Sequence, residues 1–377
     1  MKRNLLNSLI LSALATPGLA MAANAPTLGE VLDASGVSIN GYLDVAYSHL
    51  SGTGRFTDGV GDVGPNRVFD REPNSFSVHQ AAITVAKQPK EGFGGLVNLT
   101  MGNDASVIKS YDQTTSDFDV TQAFVQNATG PLTIIAGKFV TLAGAEVINS
   151  TVNANYSRSI LFGYAIPFAH TGVRATYAVT DQLSLIAGVN NGWDQAKDMN
   201  KNKTAELGVS FVPSKMFALA AVGYSGKEQL DVTGGVVNPI GGQRNLIDVV
   251  ATITAIDKLT FVVNVDQASQ KDDSTGMKAK WGGTAAYANY QITDKWMASL
   301  RTEYFNDKDG YRTGVDVGAG GQKWKEVTLT AGYMPSSSVQ LRAEIRADKS
   351  DKASFANSDG IPTKKQNSIG LEAIYKF

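Results

Sequence analysis

The chain has 377 residues, 34 of them basic and 35 acidic, so its formal net charge is −1. That balance argues against nucleic acid as a partner, because phosphate binding draws on a surplus of Lys and Arg. Cysteine is absent, which removes disulfides, thiolate nucleophiles and Cys-based zinc sites, and beyond the N-terminus no apolar run approaches the ~18 residues of a spanning helix, which excludes a multi-pass helical protein.

Residues 1–22 read as an export signal: Lys2-Arg3, an apolar stretch from Leu5 to Leu19, then Ala20-Met21-Ala22 as a small-x-small cleavage site. Ala23-Asn24-Ala25 offers a second site. Asn7, Ser8, Thr16, Pro17 and Gly18 make the stretch too short and too polar for a membrane anchor. Residues 23–36 are expected to form an N-terminal periplasmic segment. Within it, Leu28, Val31 and Leu32 give 27–35 a helix-like spacing, suited to a periplasmic turn of helix or a small plug.

From residue 37 to the end, apolar and polar residues alternate with period two, the signature of strands. The clearest case is 339–347: Val339, Leu341, Ala343, Ile345 and Ala347 alternate with Gln340, Arg342, Glu344 and Arg346. Segments 259–266 and 296–304 behave alike. Strands are expected at 37–47, 75–86, 94–102, 117–128, 131–140, 169–179, 182–192, 204–212, 216–225, 244–255, 258–268, 282–292, 295–305, 323–333, 338–348 and 366–377. Short links with turn-forming residues, such as Gly130-Pro131 and Thr180-Asp181, alternate with long polar segments at 48–74, 104–116, 142–168, 194–202, 227–243, 270–279, 307–322 and 350–364. Short turn, long loop is the pattern of an all-β chain folded as one transmembrane antiparallel up-and-down barrel. It predicts about sixteen strands over 37–377, short periplasmic turns and long extracellular loops. Aromatics near strand ends, Tyr47, Trp193, Trp296, Trp324, Tyr333 and Tyr375, are placed for interfacial girdles. The last strand ends on Phe377, with apolar and aromatic residues at alternate positions, similar to the C-terminal signal of outer-membrane barrels.

If the apolar face meets lipid, the other parity points inward. That assigns Asp44, Arg174, Glu206, Asp248, Asp266, Arg301, Glu303, Arg342, Glu344, Arg346, Glu372 and Lys376 to the lumen. Both signs occur, so no strong preference for anions or cations follows. Segment 142–168 is less polar than the other loops, with Ile148, Ile160-Leu-Phe162, Tyr164, Ile166 and Phe168. It is expected to fold into the barrel and narrow it, bringing Glu146 and Arg158; alternatively, 159–168 extends a strand above the membrane. The expected pore-lining and constriction residues are Asp44, Glu146, Arg158, Arg174, Arg301, Glu303, Arg342, Glu344 and Arg346.

Chemistry-bearing motifs are sparse. Gly59-Val-Gly61-Asp-Val-Gly64 matches G-x-G-x-x-G but lacks the flanking strand and helix of a dinucleotide site, so an external loop is the better reading. His49 and His79 flank a loop holding Asp70 and Glu72, an arrangement open to a surface metal site or an acid/base pair; rim histidines without a role are commoner, and His170 stands alone. Asp307-Lys-Asp309-Gly310 and Asp272-Asp273 fall short of a calcium loop. There is no G-x-S-x-G nucleophile elbow. No catalytic residue, cofactor or metal is expected.

Phe69-Asp-Arg71-Glu-Pro-Asn-Ser-Phe76 with Gln80-Ala-Ala-Ile83, then Glu91-Gly-Phe-Gly-Gly-Leu-Val-Asn-Leu99, resembles the OmpL-like beta-barrel porin family. Phe118-Asp-Val-Thr-Gln-Ala123, Ala136-Gly-Lys-Phe139 through Ala143-Gly-Ala-Glu146, and Ser157-Arg-Ser-Ile-Leu-Phe-Gly163 continue the likeness, which closes with Thr171-Gly-Val-Arg174 and Gly188-Val-Asn-Asn-Gly-Trp193. The specific motifs concentrate in 37–193; the second half matches in pattern alone. The resemblance implies a pore in the outer membrane of a Gram-negative bacterium, with no catalytic residue or substrate to transfer. The expected function is passive diffusion of small hydrophilic solutes or ions, with outer-membrane lipid as the other partner. A plugged structural or adhesive barrel with partner-binding loops is the alternative, and an outer-membrane hydrolase the third reading. A homo-oligomer such as a trimer fits a general porin, although the sequence shows no clear trimer face.

Overall fold

The computed structural model describes residues 28–57, 62–110, 116–228, 231–233, 236–238, 241–315 and 320–377. The export signal, Gly59 and Gly61 lie outside the described residues. Residues 1–37 and 38–377 are separate units. In the first, helix α1 (Leu28–Ser35) occupies the segment whose spacing predicts it; the second carries a short helix, α2 (Ala105–Ile108), in its second long loop.

Alternation turns into strands at every expected position. The sixteen strands of the closed barrel are β1 (Ser38–Leu50), β2 (Ser75–Lys87), β3 (Gly92–Met101), β4 (Phe118–Thr129), β5 (Leu132–Val140), β6 (Ala169–Ala178), β7 (Leu183–Asn190), β8 (Thr204–Ser214), β9 (Phe217–Glu228), β10 (Gly242–Ile256), β11 (Leu259–Lys271), β12 (Lys278–Gln291), β13 (Trp296–Asp307), β14 (Gln322–Ser336), β15 (Val339–Ser350) and β16 (Lys365–Lys376). Each pairs antiparallel with its sequence neighbours, and β1 closes the ring on β16, with Tyr42 opposite Lys376 and Leu50 opposite Ser368. Closure leaves no free sheet edge. Short turns join the strands at one end, as at Gly130, whose φ of +53° suits a residue without a Cβ. Long loops join them at the other.

The burial pattern is the reverse of a soluble sheet. On β15, Arg342, Glu344 and Arg346 are buried while Leu341 and Ile345 are 39% and 56% exposed. On β13, Arg301 and Glu303 are buried and Leu300 and Tyr304 exposed. On β11, Asn264 and Asp266 are buried and Phe261, Val263 and Val265 exposed. An apolar outer wall with an inward polar face is stable only where the surroundings are themselves apolar.

Two of the expected girdle aromatics belong elsewhere. Trp296 stacks on Tyr333 at 4.5 Å and Tyr47 meets Phe76 at 4.8 Å on the outer wall, and Tyr375 is exposed there. Trp193 and Trp324, in contrast, are fully buried inside the long-loop end. Trp324 has the parity of inward-facing Glu326, and Trp193 follows the end of β7 in a loop that turns in; proximity to a strand end does not distinguish the two faces. Trp324 packs on Phe56 at 4.9 Å, and Phe56 on Phe355 at 5.8 Å. These rings underlie a second sheet, made of Gly52–Thr57, Asp62–Pro65, Phe355–Asn357 and Pro362–Thr363, which joins the first long loop to the last.

Candidate functional site

The loop between β5 and β6 turns back into the barrel, and α3 (Ile160–Ala165) within it is buried at every residue. The strand extension considered for 159–168 is therefore not formed. Ser159 caps the helix: its hydroxyl accepts from Phe162 N at 3.0 Å, which satisfies an end donor and favours a turn over an extended chain.

A buried loop needs partners for its backbone, and the inward faces of β9 to β15 supply most of them, with Gln80 of β2 and Arg312 of the loop after β13 adding others. Glu303 accepts from Ile160 N and Leu161 N at 3.0 and 3.2 Å, at the positive end of α3. At the other end, Arg312 donates to Tyr164 O at 2.6 Å and the Trp281 indole to Ala165 O at 3.0 Å. Glu344 accepts from Tyr156 N and Ser157 N at 2.8 and 3.1 Å. Arg342 donates to Asn155 O at 2.9 Å and Ser150 O at 2.6 Å, and Arg346 to Arg158 O at 2.7 Å. Asp248 and Asn264 take the amides of Gly144 and Ala145, each at 3.1 Å. Gly144 has φ +96°, and a Cβ there would meet Ile166 at 2.8 Å. Carboxylates thus serve loop N–H groups, and guanidinium groups serve loop carbonyls.

Arg301 is the centre of this wall. It donates to Glu326 Oε1, Glu146 Oε1 and Ser157 O at 2.7, 2.7 and 2.6 Å, with Nη2 on Ser157 Oγ and Thr328 Oγ1. The second oxygen of Glu146 accepts from Ser159 N and Oγ. Arg158 turns back into its own loop, donating to Val147, Ile148 and Tyr156 carbonyls.

Of the nine expected site residues, Glu146, Arg158, Arg301, Glu303, Arg342, Glu344 and Arg346 come together in this network. Arg174 does not: it is clamped to Glu206 at 2.7 Å, donates to Val140 O and lies 4.2 Å over Phe139. Asp44 is buried on β1 opposite Gln80, with Oδ1 unpartnered among the described residues. Of the other inward assignments, Asp248 and Asp266 sit opposite each other, Glu372 meets Arg342 at 3.0 Å, and Lys376 is half-buried at the strand end.

Sequence reasoning missed Glu326 and Asp348, although parity alone would have included both. At His79 neither a role-free rim position nor the arrangement left open with Asp70 and Glu72 is found. That imidazole is buried against Asp104 at 3.1 Å and the Tyr156 hydroxyl at 3.2 Å, not against Asp70 or Glu72. Gln80 joins the same cluster, donating to Asp104 Oδ2 and Ile148 O. Asp70 instead pairs with Arg67 at 2.6 Å, and Arg67 also reaches Asp348 at 2.6 Å. Burial alone would push the Asp70 carboxyl up; Arg67 and Arg346 overturn this and hold it below the ordinary carboxylate range. Asp194 shows the reverse. Burial pushes it up to about 6, against the pull of Phe168 N and Ala169 N, which donate to it at 2.7 and 2.9 Å. Asp307 is a buried anchor for Arg312 N and Thr313 N, and among the described residues no three His, Asp or Glu side chains converge as a metal site.

The loop leans on one side. Between it and the wall of β2 to β5 lies a cavity of about 350 Å³, lined there by Thr84, Asn98, Thr121 and Gln122. A second, of about 360 Å³, lies between residues 151–154 and the short-turn ends of β11 to β13.

Solved structures that share this architecture include the following three. OmpT of Vibrio cholerae, an outer membrane protein described in trimer form, is 15% identical, covers 90% of this chain and 99% of its own, and has a TM-score of 0.61. An anion-selective porin from Comamonas acidovorans is 12% identical over 90% of this chain and 99% of its own, with a TM-score of 0.62. The outer membrane channel DcaP of Acinetobacter baumannii is 14% identical over 90% and 97%, with a TM-score of 0.59. At such identities the likeness is one of fold. No curated protein matches the sequence. The family model described as "Putative beta-barrel porin-2, OmpL-like" matches residues 36–377. The protein is thus a transmembrane barrel of the Gram-negative outer membrane, and the chain belongs to the OmpL-like beta-barrel porin family.

Proposed function

We propose that the protein is a passive diffusion channel for small hydrophilic solutes or ions, its lumen narrowed by the loop 142–168. The observation that carries this reading is the uneven attachment of the loop. Hydrogen bonds from β9 to β15, joined by His79 and Gln80 of β2, hold it, and space remains beside Thr84, Asn98, Thr121 and Gln122. Glu146, Arg158, Arg301, Glu303, Arg342, Glu344 and Arg346 then build the narrow zone, while Asp44 and Arg174 belong to the surrounding lumen. Passage of this kind needs a wetted path and no reaction step, so the protein is read as a non-enzyme without cofactor or resident metal.

The buried rings of Phe56, Trp193, Trp281 and Trp324 at the long-loop end favour a second reading, a plugged structural barrel whose loops bind a partner. Planar-bilayer recording of the purified protein separates the two. Stepwise current is expected; its absence, with insertion verified, overturns the channel reading.

A further inference from the structure

We propose that the open side of this interior favours uncharged, hydroxyl-bearing solutes, of the class of small sugars and polyols, over ions; the inference rests on the channel reading above. The cavity beside the loop has two unlike walls. Leu142, Val147, Ile148 and Phe168 give the loop side an apolar surface, and Thr84, Asn98, Thr121 and Gln122 face it with hydroxyls and amides. Asn98 Nδ2 donates to Thr84 Oγ1 at 2.8 Å, leaving Asn98 Oδ1 as a spare acceptor among the described residues. Gln122 Oε1 accepts from Val140 N, leaving its Nε2 as a spare donor. A spare donor and a spare acceptor opposite an apolar surface match a ring with C–H faces and a hydroxyl rim.

Charge on this side is cancelled locally. Glu146 is the one carboxylate in the lining, and both its oxygens are occupied, by Arg301 and by Ser159. Lys138 bonds both oxygens of Asp119 at 2.8 and 3.0 Å, and Arg174 is paired with Glu206. An ion entering here gives up water and meets no free countercharge, whereas a polyol trades water for amide and hydroxyl partners.

The test uses the full-length protein in phosphatidylcholine vesicles. Swelling in isosmotic glucose is compared with swelling in potassium gluconate, and the reversal potential is read in a potassium chloride gradient. Glucose is expected to enter several-fold faster than gluconate, because the ion gives up water without gaining a countercharge, with a reversal potential near zero. Gln122→Glu is expected to raise the glucose-to-gluconate ratio by a further factor of about five and turn the potential cation-selective. Asn98→Asp, a second near-isosteric change, moves both readouts the same way, and heat-dependent gel mobility reports folding of each variant. Gluconate entering as fast as glucose, a strongly ion-selective wild type, or variants without effect on either readout overturns the inference. Stepwise ionic current without glucose entry overturns it alone; neither current nor swelling overturns the channel reading as well.

Discussion

The two halves of the interior obey the same parity rule and use it differently. On β13 to β15 the inward positions carry Arg301, Glu303, Glu326, Arg342, Glu344 and Arg346, and most of these bond to backbone groups of a loop. On β2 to β4 Thr84, Asn98, Thr100 and Thr121 bond to one another or face open space; Gln80 and His79 there reach the loop, at Ile148 O and the Tyr156 hydroxyl, and the carboxylate of Asp119 is taken by Lys138. A charge on the inner wall of a barrel is therefore not by itself a statement about the solute. Where each guanidinium and carboxylate has a fixed partner, the charge is spent on holding a segment in place, and under the proposed channel reading the less charged wall is the one that meets the solute.

That contrast can be broken most sharply at Arg301. Arg301→Ala leaves Glu326 and Glu146 buried without their shared cation and is expected to cost about 3–5 kcal/mol. Urea unfolding in detergent checks the loss, and single-channel recording should show a larger, noisier current as the loop loosens. An unchanged unfolding midpoint would show that the network is ornamental. The pH dependence of Asp194 comes next. Its folded value of about 6 lies above the unfolded value of about 3.9, so the folded protein holds the proton more tightly. Its contribution is full below the unfolded value and is lost as pH rises through about 6, by up to about 3 kcal/mol. The stability difference between wild type and Asp194→Asn, measured from pH 4 to 7, reads this directly. Asp70 has the opposite sign: held down by its arginines, it contributes above the unfolded value and loses that contribution as pH falls through its folded value.

Smaller effects test the comparison itself. Glu344→Gln keeps one acceptor for the amides of Tyr156 and Ser157 but removes the charge, and should cost about 1.5–3 kcal/mol. Ser159→Ala removes the cap of α3 and should cost about 1 kcal/mol. On the less charged wall, Thr121→Val removes a hydrogen bond to Thr100 and should cost no more than about 1 kcal/mol. If that change proves as damaging as Glu344→Gln, the two walls are not energetically distinct.

How much of this is legible in sequence follows from the range of each signal. The strands are legible because alternation is local, and the inward charges because parity is local too: Leu341 and Arg342 declare opposite faces by adjacency. Parity cannot say what an inward charge touches. Tyr156 and Glu344 are 188 positions apart, and nothing near either marks the other. The apolar run in 159–168 betrays a loop that leaves water, while the serine cap that makes it helical is one residue among many. Closeness along the chain offers His79 only Asp70 and Glu72 as partners, whereas closure of β2 on β3 brings it Asp104.

The small sheet of the first and last loops bears on how the molecule is assembled. The β1–β16 contact joins residues separated by nearly the whole barrel sequence, so it carries the largest loop-closure entropy and belongs late in folding. Gly52 opposite Asn357, Phe56 opposite Phe355, and the bonds from Asn66 to Gln366 and from Arg67 to Ser368 all cross that same join. They act as a latch over a zip: once the first and last strands of the barrel meet in the membrane, the loops above fasten across the seam, and reopening the ring requires undoing both.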